Sequence, residues 1–185
     1  MAEFTRREPD TMRRLILIRH AKSDYPWGVE DHFRPLNGRG RRDAPLIGEW
    51  LLHNIPVLEP PVVVVSTATR TQLTWRLIRE QLSGVWAECE VVEEPSLYET
   101  DADGVAAVIS GLPDSADTAV LIGHNPGLVD FISRYTEPGT AKDDATAKFP
   151  TSALAVVVTS SLWGSCMSVP MVIEHFAVAR APRKS

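Results

Sequence analysis

With two cysteines in 185 residues, the chain has neither a disulfide framework nor a cysteine-rich metal site. Cys89 and Cys166 stand far apart, with no CxxC and no partner at zinc-finger spacing, so they read as reduced, structural thiols of a cytosolic protein. No apolar run approaches the ~20 residues needed to cross a bilayer. The charged opening MAEFTRREPDTMRR has no signal-peptide core. Positive charge is also in deficit: a formal net charge of −5 excludes general attraction to a nucleic-acid backbone or an anionic membrane. HxH, HExxH and carboxylate clusters at ligand spacing are missing, so neither metal nor cofactor is expected. Repeats, low-complexity tracts and linkers are missing too, and the length suits one domain.

What the chain does contain is short, branched apolar runs. Leu15–Ile18, Val62–Val65 and Ala119–Ile122 are unbroken and read as strands buried on both faces. Ala153–Val158 and Val172–Val178 add two more. Helical patterns over Gly40–His53, Thr69–Leu82, Asp103–Ser110 and Leu128–Tyr135 lie between them. This alternation predicts an α/β fold: a single domain over residues 13–180 with a mostly parallel central sheet flanked by helices. Residues 1–12 read as an N-terminal extension and 181–185 as a tail.

In open α/β sheets ligands bind beyond the carboxyl ends of the strands. Here the first strand runs into Arg19-His20. The second ends at Ser66 and leads into Thr67-Ala68-Thr69-Arg70. The third ends in Gly123-His124-Asn125-Pro126-Gly127. Two arginines, two histidines and several hydroxyls thus meet at one sheet edge beside helix N-termini. A tetrahedral, doubly charged group suits them best: arginine forks pair with phosphate oxygens, and a neutral histidine can attack phosphorus.

These residues resemble the signature of the histidine phosphatase superfamily, which includes the cofactor-dependent phosphoglycerate mutases. "LIRHAKS" stands where the family has a strand followed by Arg-His-Gly, and Ser66 to Thr74 match its Ser-Pro-x-x-Arg block. Gly123-His124 match its Gly-His, and "FRPLNGRGRRDA" resembles the segment that opens its first helix. The Arg-His-Ala-Lys-Ser and Gly-His-Asn-Pro-Gly forms resemble the compact SixA-type phosphohistidine phosphatases. The resemblance implies that fold, a covalent phosphohistidine on His20, and a phosphate pocket of Arg19, Arg70 and His124 without a metal ion. Family members that use an acid often place it in a Leu-x-Glu segment, where Glu99 stands, with Asp101 and Asp103 as substitutes; other compact members lack an equivalent, and Glu99 is then a solvated loop carboxylate. Ala21 and Thr67 replace the usual glycine and proline.

Among weaker candidates, Ser23 follows His20 closely enough to reach phosphate or substrate. Arg34 either lines the pocket or braces the first helix. Lys22 belongs at the rim, Tyr25 and Trp27 near the mouth, and His32, His53 and His175 have no ligand spacing. The expected activity is metal-independent hydrolysis of a phosphomonoester or phosphohistidine through His20. A phosphate- or phosphopeptide-binding module without turnover, or a phosphomutase, are the alternatives. The expected partner is a phosphorylated small molecule or phosphoprotein, in the cytoplasm, with no nucleic acid or membrane; oligomeric state is left open. The mechanism calls for His20 neutral and His124 protonated.

Overall fold

A computed structural model of the chain describes residues 12–182. The expected extension, Met12 apart, and the last residues of the expected tail lie outside them. Six strands form one sheet: β1 (Arg13–Arg19), β2 (Val62–Ser66), β3 (Glu90–Glu94), β4 (Thr118–Gly123), β5 (Ala153–Thr159) and β6 (Val172–Val178), in the order β3-β2-β4-β1-β5-β6. Strands β1 to β4 pair in parallel, β5 is antiparallel to β1, and β6 is antiparallel to β5. Only β5 therefore opposes the common direction. Helices α1 (Gly38–Asn54), α2 (Thr69–Arg79), α3 (Ala102–Ser110), α4 (Gly127–Tyr135) and α5 (Thr140–Ala147) complete the α/β domain.

The two-residue period of the strands sorts the core into two halves. Leu15, Leu17, Val62, Val64, Ala119 and Leu121 face α3, α4 and α5, packing with Leu128, Phe131 and Trp163. Ile16, Ile18, Val63, Val65, Val120 and Ile122 face the other way, onto Ile47 and Leu51 of α1 and Trp75 and Ile78 of α2. At roughly 1.5–3 kcal/mol for each fully buried large aliphatic side chain, these two layers dominate the folding free energy. Cys89 and Cys166 are free and buried in opposite layers.

The five strands and four helices anticipated from the sequence are present, with ends shifted by a few residues. One strand and one α-helix were not anticipated, nor were four short 3-10 turns. Strand β3, EVVEE, is a largely exposed edge strand, so it lacks both an apolar run and a clean alternation. Helix α5, TAKDDATA, buries only Ala145 and has little amphipathic pattern to detect.

Helix α1 is fixed at its start by Asn37, whose side chain accepts the Gly40 amide at 3.0 Å. Asn37 N–H donates to Lys22 O at 3.0 Å, tying this helix to the turn that follows β1. Gly40 faces the same turn, and a methyl group there would overlap the Lys22 carbonyl. Gly40→Ala should therefore destabilise the fold by about 1–3 kcal/mol, the usual scale for overpacking, despite alanine's better helix propensity. Urea denaturation of the variant checks this; a gain in stability would show that the turn yields without cost.

Candidate active site

The register of the sheet builds the site. Arg19 lies opposite Gly123 across β1 and β4, and β4 also pairs with β2, so the three anticipated strand ends are neighbours. His20 N–H donates to Gly123 O at 3.1 Å, which sets His20 beside His124, with ring centroids 5.1 Å apart. Because β5 runs the other way, its N-terminal approach reaches the same edge. Phe149 O accepts from Arg19 Nη1 at 2.8 Å and from Asn125 Nδ2 at 3.0 Å.

His20 is buried, and its Nδ1 is 2.7 Å from Ala21 O. A carbonyl oxygen only accepts, so Nδ1 carries the proton and the lone pair of the neutral ring is at Nε2. Burial, with Arg70, Arg19 and Arg34 adding repulsion, lowers the His20 pKa to about 3. The Ala21 amide donates to Thr74 Oγ1 at 2.9 Å, and that hydroxyl donates to Arg70 O, so α2 braces the turn that follows His20. Ala21 is not among the residues with positive φ, so the family's glycine is replaced here without backbone strain.

His124 is joined to Ser66 Oγ by a 2.9 Å hydrogen bond through Nε2. Burial, then the neighbouring His20 and Arg70, lower its pKa to about 3 as well. Burial thus holds both histidines neutral near neutral pH, contrary to the expectation of a protonated His124. The sequence showed the arginines near it, but not how thoroughly the strand ends remove water.

An open cavity of about 710 Å³ is lined by Asp31, Arg70, Glu99, Asp101, His124 and Asn125 among others, with His20 and Arg19 outside its lining. A hollow of about 420 Å³ between β3 and α3 is lined mainly by apolar residues and contains no histidine or arginine. Four of the seven buried side-chain polar atoms without a partner among the described residues flank the reactive edge: Arg19 Nε, His124 Nδ1, Asn125 Oδ1 and Ser152 Oγ. Buried polar atoms are normally satisfied, so their concentration here fits a surface made for a polar ligand. Among the described residues no three His, Cys, Asp or Glu side chains group as a metal centre requires.

The three candidate acids separate. Asp101 caps α3 by accepting the Gly104 amide at 2.9 Å, and Asp103 pairs with Arg134 at 2.6 Å. Glu99 lines the cavity in a left-handed conformation, with φ 52°. Such a backbone is uncommon for a residue with a side chain and clusters at functional sites. Ser23 and Arg34 stand one step behind the cavity. Arg34 Nη2 donates to Ser23 Oγ at 2.8 Å, its Nε donates to Asp24 O at 2.8 Å, and its Nη1 pairs with Asp31. Sequence reasoning missed Asp31 and Tyr98. Asp31 Oδ2 accepts from Arg70 Nη2 at 3.0 Å and from the Tyr98 hydroxyl at 2.9 Å. Its only signal was its position three residues before Arg34. His32 meets Thr67 Oγ1 at 3.1 Å, His53 donates from Nδ1 to Glu49 O, and His175 packs edge-on against Trp50.

The chain is similar to several known proteins. A family model described as the histidine phosphatase superfamily (branch 1) matches residues 15–109. An uncharacterised protein of Mycobacterium leprae is 37% identical over 153 residues, covering 79% of this chain and 89% of its own. A solved structure assigned as the phosphohistidine phosphatase SixA of Nakamurella multipartitia superposes with a TM-score of 0.80 at 28% identity, covering 94% of this chain and all of that one. The protein histidine phosphatase SixA complexed with tungstate shares the fold, with a TM-score of 0.70 at 21% identity over 89% of this chain and 96% of its own.

The neutral histidines have a consequence for stability. Their folded pKa values, about 3, lie below the ordinary 6.5, so the unfolded chain takes up protons first as pH falls. Their contribution is complete above about pH 6.5 and is lost progressively toward pH 3, at up to about 1.4 kcal/mol per pH unit for each histidine. Urea midpoints measured between pH 7 and 4 should fall accordingly, and the slope should flatten in a His20→Asn, His124→Asn double variant. An unchanged slope would mean that neither ring is held neutral.

Proposed function

The chain belongs to the histidine phosphatase superfamily as a SixA-type phosphatase, and we propose that it hydrolyses a phosphohistidine or phosphomonoester through a covalent phosphohistidine on His20, without a metal ion. The observation that carries this reading is the His20 ring: buried, neutral, with its Nε2 lone pair available beside Arg19, Arg70 and His124. The likeness to a protein assigned as a phosphohistidine phosphatase supports the same substrate chemistry.

In this mechanism Nε2 attacks phosphorus in line and the bond from phosphorus to the leaving group breaks. The leaving atom takes a proton from Glu99, the cavity-lining carboxylate that has no capping or ion-pair role. Arg19 and Arg70 bind the equatorial oxygens, and His124 donates to the same group, so charge spreading in the transition state meets donors already in place. Ala21 O keeps its hydrogen bond to Nδ1–H as the ring becomes cationic. Water then attacks phosphorus, the bond to Nε2 breaks, and Glu99 recovers a proton. Inorganic phosphate leaves and His20 returns to its neutral state. Ser23 and Arg34 act on this sequence through Asp31 and the loop they brace.

Phosphate release from an aryl phosphate and from a phosphohistidine protein, in the presence of chelator, tests the reading. The natural protein should turn over and form an acid-labile, base-stable phosphoenzyme, and His20→Ala should do neither. Arg70→Ala should lose about 10²–10³ in kcat, the cost of removing one preorganised donor to transition-state charge. Equal activity with and without His20 would remove it as nucleophile. Phosphate binding without turnover on either substrate would select the binding-module alternative.

A further inference from the structure

Arg70 is already occupied. Its Nη1 donates to the backbone oxygen of Asp31 at 2.7 Å and its Nη2 to the Asp31 carboxylate at 3.0 Å. Both arms of the fork that would grip a phosphoryl group therefore rest on one residue. We propose that Asp31 competes with phosphate for Arg70, yielding the Nη2–H bond when the phosphoryl group enters and reclaiming it to expel inorganic phosphate. This rests on the reading that Arg70 binds the phosphoryl group.

The surroundings of Asp31 suit an exchange rather than a fixed ion pair. Its Oδ2 receives a second bond from the Tyr98 hydroxyl, and its Oδ1 is held by Arg34. Arg34 cannot follow a phosphate, because Nε and Nη2 are committed to Asp24 O and Ser23 Oγ and its guanidinium stacks 3.4 Å over Tyr25. It can hold Oδ1 while Oδ2 gives way. The Asp31 side chain is 48% exposed, so moving its free oxygen into water carries little desolvation cost, whereas Arg70 is 9% exposed and stays put. Partial burial opposes the ionised form of Asp31, but Tyr98, Arg34 and Arg70 outweigh it and set its pKa near 2. Asp31 is therefore a permanent anion near neutral pH and no proton donor. A bound phosphate dianion and this carboxylate face each other across one guanidinium, and their repulsion favours release.

Binding of inorganic phosphate to the full-length protein, by calorimetry at neutral pH and low salt, tests the proposal. Asp31→Asn removes the charge and keeps the shape, and it should bind phosphate about tenfold tighter, the scale of relieving one partly screened like-charge contact. The inhibition constant for phosphate should fall in parallel. A residue that merely braced Arg70 would give the opposite sign, so equal or weaker binding overturns the proposal. If Asp31→Asn does not melt as a folded protein, Tyr98→Phe decides: it loosens Oδ2 and should tighten phosphate binding two- to threefold, and no gain overturns the idea. Arg70→Ala separates the two levels. Unchanged phosphate binding in that variant removes Arg70 from the pocket, whereas lost binding there with no gain in Asp31→Asn removes only the competition.

Discussion

The parallel pairing of β1 with β4, Arg19 opposite Gly123, governs where Arg19, His20 and His124 stand. One residue beyond that pair, the His20 amide meets Gly123 O, and the two histidines follow their strands out of the sheet side by side. A slip of one residue would turn Ile16 and Ile18 into the layer now held by Leu15 and Leu17, so the apolar core itself fixes the register. Hydrophobic burial thus enforces the 5.1 Å spacing of the two rings without any side chain of the site contributing to it.

Charge is managed in the same local way. A molecule of net charge −5 gathers Arg19, Arg34 and Arg70 around two histidines that burial keeps neutral. One carboxylate, Asp31, offsets two of those arginines, and a tyrosine hydroxyl adds to its hold. The loop that bears Asp31 is tied to β1's turn by Arg34 and Ser23, so the balance of charge and the position of His20 share one set of bonds.

Most of the sheet was legible because strands buried on both faces leave continuous runs such as VVVV and LILI. The reactive edge was legible because three strand ends shared one chemistry, and the register of the sheet makes them neighbours. Strand β3 and helix α5 escaped because neither buries enough surface to leave a periodic trace. Asp31 escaped for another reason: an acidic residue in a polar loop has no pattern until folding delivers Arg70 from 39 positions away. The neutral state of His124 was illegible too, since desolvation is a property of the assembled edge and not of any neighbouring residue.

The lone antiparallel strand has one more effect. Phe149, on the approach to β5, grips Arg19 across 130 residues of chain, and Ser152 N–H reaches back to the carbonyls of Arg19 and His20. Part of what holds the turn after β1 is therefore supplied by a segment far along the chain. Closing so long a loop is entropically costly and places the site late in assembly, after local contacts have formed.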